Sequence, residues 1–416
     1  MKLVVVGCGQ GGGNIADEFA ALGKWVWENR RIRIFTGGTK DPIHKGVFAI
    51  NMGAGDLYGL KNIPQTDDHT ILIGTTDEFR GRGAGKNNRD GAEQARKNAR
   101  KILGTIEDYG DVYSADAIMV IGTTAGGTGS GSVGVVVDLM KEAFKKPVYA
   151  MLVLPFENQY TEPDSIINTG TCIKKVLTDC EANAVFLIDN QKFVRKSESM
   201  TINYAQINRR IVDSFMDILC VGEETDSRYI GEVLDANDVI RILHGPTAIG
   251  VANTLVPPPQ KRGWTLKKTK EPRHFSKSKE QIERAQGVVH DALNELSIDC
   301  EIRENGKILY HARAALGLFS GPSHEATEEI VEMMDNCLAE KVPGADRRKG
   351  TYPGRSSDTI QVTTILTGIG HGAFMNKVQW LYKEAAVQIT AKQDRREEIR
   401  GEWDDVSKLA DDLPSL

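Results

Sequence analysis

Short apolar runs and apolar stripes at helical spacing alternate along the first half of this chain. Residues 3–6, 47–50, 71–74, 117–121, 147–154 and 185–188 are compact apolar runs of the length that buried strands have. Between them Ile15, Phe19 and Leu22 mark one helix face, and Val133, Val137, Met140 and Phe144 another. A polar helix is expected over about 90–106, and a further one after Asp164 to about residue 183. Strands alternating with helices predict a mostly parallel, doubly wound sheet, with a ligand at the carboxyl ends of its strands. This is the expected unit 1–200.

The pattern then changes. Tyr204, Ile207, Ile211, Phe215 and Ile218 predict one long helix over 201–219, followed by an acidic turn and a short helix at 238–243. From Gly245 a smaller α+β unit is expected, spanning 244–375. It has strands near 247–252, 300–303, 314–319 and 359–366, and a helix near 325–340. A second helix opens on the capping-box pattern Ser278-x-x-Gln281. The Pro- and Lys-rich stretch 257–270 reads as an exposed loop. Residues 376–400 read as one or two charged surface helices, and 404–416 as a ragged end. The expected divisions are therefore 1–200, 201–243, 244–375 and 376–416.

Three glycine-rich stretches each follow a predicted strand: Gly7-Cys8-Gly9-Gln10-Gly11-Gly12-Gly13-Asn14, Gly81-Arg82-Gly83-Ala84-Gly85-Lys86-Asn87-Asn88, and Gly122-Thr123-Thr124-Ala125-Gly126-Gly127-Thr128-Gly129-Ser130-Gly131. Glycine lets the backbone approach a ligand closely, and the first N–H groups of a helix point at an anion with the positive dipole end behind them. Thr128 and Ser130 add hydroxyls. Three such loops at strand ends point to one polyphosphate site. Gly7, Gly9 and Gly12 also spell the dinucleotide G-x-G-x-x-G. The acidic residue that should close the second strand is displaced to Asp56, so a nicotinamide-dependent oxidoreductase is the weaker reading.

Composition narrows the class further. The chain has 416 residues, 26% of them charged, a net charge of -5 and a pI near 6.0, which argues against a general nucleic-acid binder. Six dispersed cysteines without a C-x-x-C pair read as free thiols in a reducing cytoplasm, and eight scattered histidines give no zinc pattern. No targeting segment and no apolar stretch of spanning length is visible, so a cytoplasmic location is expected.

The stretch Ala125-Gly126-Gly127-Thr128-Gly129-Ser130-Gly131 is one residue from the G-G-G-T-G-S-G signature of tubulins, and the chain resembles the tubulin/FtsZ superfamily over roughly residues 1–380. Gly9-Gln10-x-Gly12 is similar to the tubulin G-Q-x-G, and Asn14 to the Asn that closes the FtsZ loop. Ile188-Asp189-Asn190 is similar to the tubulin I-D-N. Tyr204-x-x-Ile207-Asn208 parallels Y-x-x-L-N, and Asp235-x-x-Asp238-Val239 the FtsZ D-x-x-D-V. The mixture looks most like the CetZ group of archaeal tubulin-like proteins. Val233 stands where FtsZ has an Asn, a departure that bears on the rate of hydrolysis.

The resemblance implies a GTP-binding and GTP-hydrolysing cytoskeletal protein with a role in cell shape or division. It implies GTP or GDP at Gly9, Gln10, Gly11, Gly12, Gly13, Asn14, Asn51, Gly83, Ala84, Gly85, Gly126, Gly127, Thr128 and Gly129. The ribose falls to Glu162, with Glu157 competing, and the base to Asn190, Tyr204 and Asn208. Mg²⁺ is expected on the phosphates, with no protein metal site. Asp235 and Asp238 are the implied catalytic pair, acting on the nucleotide of the next subunit in a head-to-tail filament. The competing reading of that pair is a solvated acidic turn capping a helix. Peripheral or adaptor contacts would fall on loop 261–270 and the terminal helices, for which a plain charged surface is the alternative. A GTP-binding regulator that does not polymerise also remains open.

Overall fold

The computed structural model describes residues 1–36, 46–194, 200–224, 234–257, 273–354, 356 and 358–410. Loop 261–270, Val233 and residues 411–416 lie outside the described residues. The chain runs β1 (Leu3–Cys8), α1 (Gly9–Arg30), β2 (Val47–Asn51), α2 (Ala54–Tyr58), β3 (Thr70–Leu72), α3 (Asn88–Lys97), α4 (Ala99–Gly110), β4 (Ala117–Thr123), α5 (Gly127–Ala143), β5 (Val148–Leu154), α6 (Pro163–Lys174), β6 (Ala184–Asp189) and α7 (Asn190–Phe193). It continues through α8 (Met200–Asp213), α9 (Met216–Val221), α10 (Ala236–Ile242), β7 (Gly245–Leu255), α11 (Arg273–Asn294), β8 (Glu301–Glu304), β9 (Lys307–Tyr310), β10 (Ala314–Gly321), α12 (Glu328–Lys341), β11 (Asp346–Pro353), β12 (Thr359–Thr367) and α13 (Ala373–Ala410).

Period-two alternation sorts each strand's side chains to opposite faces. In β1, Val4, Val6 and Cys8 join the core under α5, with Val133, Val137 and Met140. Leu3 and Val5 join the core under α1, with Ile15, Phe19 and Leu22. The sheet is therefore covered on both sides, as parallel strands require. Its order is β11-β10-β12-β7-β6-β5-β4-β1-β2-β3, and every pairing from β7 to β3 is parallel.

The strands of the second half extend this same sheet. Gly245–Thr247 of β7 pair with β6, and Thr247–Leu255 then pair antiparallel with β12. Where β6 and β7 diverge, buried Ser297 fills the gap. Its Oγ donates to Leu187 O at 2.7 Å and accepts from Ile249 N at 3.2 Å, while its backbone O accepts from Asp189 N at 2.7 Å. A third core, including Val289, Ala292, Phe319, Met334 and Val362, lies between α11, α12 and this part of the sheet.

Several expected elements change. The glycine stretch after β1 is no loop, because α1 begins at Gly9. The expected helix over 90–106 breaks at Asn98, whose side-chain Nδ2 reaches Gln94 O at 2.8 Å and Ile73 O at 3.0 Å. The expected helix over 201–219 breaks at Ser214-Phe215, where Phe215 N bonds Val212 O at 3.0 Å in a tightened turn. Strands β9 and β11 were not anticipated. β8 and β9 form a hairpin over Asn305-Gly306, with φ of 50° and 77°. The charged end is a single helix of 38 residues that continues through 404–410.

Close packing makes one glycine indispensable and another replaceable. A Cβ on Gly250 would lie 2.0 Å from Ala292 O of α11, whereas one on Gly287 meets nothing within 4 Å. Gly250→Ala should lower unfolding stability by about 1–3 kcal/mol, whereas Gly287→Ala should raise it by about 0.5–1 kcal/mol. Urea unfolding followed by circular dichroism distinguishes them. Equal effects would refute this packing.

Candidate functional site

β1 and β4 are adjacent and parallel, with Cys8 beside Gly122 at their carboxyl ends. The helices that leave them, α1 and α5, pack on opposite faces, which makes this crevice the switch point of the sheet. The two helix N-termini abut there. Gly9 has φ +71°, and a Cβ on it would sit 2.6 Å from Gly129 N. Gly11 presses on Thr123 and Gly12 on Ile121 O, where added Cβ atoms would fall at 2.3 and 2.4 Å. The N-cap residues, Cys8 and Gly126, cap neither helix with a side chain. The leading N–H groups are left for whatever occupies the space in front.

That space is a cavity of about 790 Å³. Gly126 borders it with φ −79° and nothing within 4 Å of an added Cβ, so packing and backbone geometry alone do not call for glycine there. The second wall is 83–86, where Gly83, Gly85 and Lys86 have φ of +90°, +54° and +62°. Such left-handed runs turn successive N–H groups into an anion-binding concavity. The loop is clamped to α5 by α3, because Cβ atoms on Gly91 and Gly131 would lie 2.5 Å from Gly127 O and 2.0 Å from Asn88 O.

Buried Asn168 of α6 ties the two glycine loops together. Its Nδ2 donates to Lys86 O at 2.8 Å and to Ala125 O at 3.1 Å. At the opposite end, Asn190, Tyr204 and Asn208 line the cavity. The Tyr204 ring is 39% exposed and meets Phe156 edge-on at 5.2 Å between centroids. An exposed aromatic face with amides beside it suits a planar heterocycle with polar edges.

Of the residues expected at the site, Gln10, Gly11, Asn14, Asn51, Gly83, Ala84, Gly85, Gly126, Gly127, Thr128, Gly129, Asn190, Tyr204 and Asn208 line this cavity. Gly9, Gly12 and Gly13 are buried in the packing of α1 and do not line it. Buried Asn51 also stabilises its own turn, accepting from Gly53 N at 3.1 Å and donating to Asp56 Oδ2 at 3.0 Å. The Ser130 hydroxyl, expected as a donor to the ligand, is turned back onto Gly126 O. Glu162 is outside the lining, and its carboxylate accepts from Lys86 Nζ and from Ser165 Oγ. Both contacts hold its pKa below the usual carboxylate range, with the Lys86 hydrogen bond the larger cause. Glu157 also lies outside the lining. Asp235 and Asp238 are elsewhere. Asp235 caps α10, accepting from Asp238 N at 2.9 Å, and Asp238 Oδ2 returns to Asp235 N at 3.4 Å.

Sequence reasoning missed Asn168, the Lys86 side chain, and Asp17. Buried Asp17 anchors the loop after α2 by accepting from the backbone N–H groups of Lys61, Asn62 and Ile63. Asn168 gave no signal, because one amide inside a helix resembles any other polar position. Cys8 sits at a helix N-terminus, which lowers a thiol pKa, yet burial outweighs this and pushes it up to about 12.

Residues 2–198 match the family described as the Tubulin/FtsZ family, GTPase domain, and residues 197–386 match the tubulin-like CetZ C-terminal domain. The chain belongs to the tubulin/FtsZ family. It is 28% identical to the tubulin-like protein CetZ1 of Haloferax volcanii over 411 residues, 96% of this chain and 94% of that protein. The solved GDP-bound monomer of that CetZ1 matches with a TM-score of 0.73 at 25% identity, covering 93% of this chain and 100% of the other. The GTPγS-bound protofilament of CetZ2 from the same organism shares the fold, with a TM-score of 0.75 at 23% identity over 94% of this chain and 100% of the other. The expected tubulin/FtsZ-like fold class is the one found. Among the described residues, no helix is long and apolar enough to cross a membrane.

In this tubulin-like site Asn168 positions two loops without facing the cavity. Asn168→Ala should leave two backbone carbonyls short of a donor and cost about 1–3 kcal/mol. Hydrogen exchange should quicken in 84–88 and 123–127 while β1 and β5 stay protected. Unchanged exchange in both loops would sink the role.

Proposed function

We propose that this cavity binds GTP and that the chain hydrolyses it as part of a filament-forming cycle. The observation that carries the reading is the abutment of α1 and α5. Two positive helix ends, with uncapped N–H groups and glycines in front, face one cavity. A polyphosphate fits that cradle. Gly126 leaves room where a side chain would intrude, and the nest at Gly83–Lys86 closes the far side. The base end is supplied by Tyr204 stacking and by Asn190 and Asn208, whose amides offer a donor and an acceptor each. Glu162 takes the ribose hydroxyls.

Hydrolysis needs a water in line with the terminal phosphoanhydride, whose P–O bond breaks to give GDP and phosphate. Three carboxylates line the cavity among the described residues, and Glu18 lies beside Asp17, Arg209 and Asp213 rather than on the glycine loops. Asp17 is spent on backbone N–H groups and Asp56 on Asn51. Asp235 and Asp238 of the next subunit supply the carboxylate that orients the water, so turnover requires head-to-tail assembly, which is heterologous and open-ended. The GTPγS-bound protofilament of CetZ2 supports this reading. Mg²⁺ would be carried chiefly by the phosphates, where it would offset developing charge. A role in cell shape or division follows from such filaments.

One observation favours a second reading, a GTP-binding regulator without polymerisation: Asp235 and Asp238 are already partnered as a capping box. Asp238→Asn keeps the capping acceptor and removes the carboxylate. It should bind GTP normally, lose at least about a hundredfold in turnover, and give longer-lived filaments in negative stain. Light scattering with GTP against GDP decides between the readings. Full turnover by this variant, or by protein that never assembles, would refute catalysis in trans.

A further inference from the structure

We propose that Lys86 is the residue that distinguishes a triphosphate from a diphosphate, by exchanging Glu162 for the terminal phosphate. This rests on the guanine-nucleotide reading above and adds a specificity residue to it. Lys86 lines the cavity and carries a side chain in the left-handed region at φ +62°, where glycine is the unstrained choice. A non-glycine residue held there directly after Gly83 and Gly85 marks a place where a side chain is needed. Its backbone is anchored, since its carbonyl accepts from Asn168 Nδ2 at 2.8 Å. Only the side chain is left to move.

The side chain reaches from the lining loop to Glu162, the N-cap of α6, which lies outside the lining. Both side chains are about half exposed, 52% and 48%, and an exposed pair of this kind is weak and readily traded. A ligand lying with its base at Tyr204 and its phosphates across the N-termini of α1 and α5 brings its last phosphate to the 83–86 nest. There a doubly charged oxyanion group outcompetes a single exposed carboxylate for Lys86. Lys86 and Ser165 share one oxygen of Glu162, Oε2, so when Lys86 leaves that oxygen keeps the hydrogen bond from Ser165 Oγ at 2.9 Å, and Oε1 stays open to a ribose hydroxyl throughout. With a diphosphate, Lys86 stays on Glu162. Lys61, the other lysine of the lining, lies beside Asp17 and Glu18 rather than on this loop.

The test is equilibrium binding of fluorescent GDP to the full chain, displaced by GTPγS or by unlabelled GDP, for wild type, Lys86→Gln, Lys86→Arg and Glu162→Gln. Lys86→Gln should weaken GTPγS about tenfold and GDP less than about twofold. Lys86→Arg should retain most of the discrimination. Glu162→Gln should raise the GTPγS-to-GDP affinity ratio, because the competing carboxylate is gone, even if the lost ribose contact lowers both affinities. Equal losses for the two nucleotides in Lys86→Gln would overturn the proposal, as would an unchanged ratio in Glu162→Gln. Wild type that binds neither nucleotide would instead overturn the guanine-nucleotide reading, and the role of Lys86 would fall with it.

Discussion

Two long helices of this protein begin nose to nose. Each N-terminus carries roughly half a positive charge, and bringing two together is unfavourable unless something negative sits between them. The glycine content follows from that one constraint. Gly9 and Gly129 touch because any Cβ would hold the helices apart, and Gly12 brings α1 down onto β4. The strand order places α1 and α5 on opposite faces of neighbouring strands, so their ends can meet only in the crevice between β1 and β4. The abutment is local chemistry; its position is topology.

Much of the remaining structure supports this meeting of helices. α3 lies so close to α5 that Gly91 and Gly131 have no room for side chains, and that contact brings loop 83–86 to the cavity. α6 carries Asn168 to both glycine loops, and α13 packs along α6, with Ala385 against Gly170 and Lys392 paired to Asp164. The last helix of the chain is therefore packed on the first half, two short steps from the glycine loops of the cavity. The second half of the chain joins through β7, whose first three residues continue the parallel sheet before it turns to β12. Buried Asp217 of α9 adds a polar tie, accepting from Gln361 Nε2 at 2.8 Å and from Ser320 Oγ.

The parallel strands and the three glycine stretches were legible because burial on both faces leaves unbroken apolar runs, and because close backbone approach needs glycine. β11 was hidden, since Asp346-Arg347-Arg348-Lys349 is a polar edge strand with no apolar pattern. The β8–β9 hairpin does carry a local signal, the Asn305-Gly306 turn. The break at Asn98 goes with a side-chain hydrogen bond to a distant carbonyl, that of Ile73, and the break at Ser214-Phe215 with a tightened backbone turn; spacing encodes neither. At the site, the lining glycines and amides could be picked out by motif. Asn168 and the Lys86–Glu162 pair could not, because the partners lie 82 and 76 residues apart. Long-range polar pairs leave no local trace.

In the proposed trans reading, the structural role of Asp235 and Asp238 and their chemical one need not compete. A capping box engages one oxygen of each carboxylate, and a cap contributes about 1 kcal/mol. That contribution holds the two side chains in one orientation, with a second oxygen on each still available to solvent or to a docked neighbour. A pair held in this way loses little further entropy on entering another subunit's site. The same acidic turn left uncapped would have to be ordered and docked at once, which would weaken both assembly and the chemistry that depends on it.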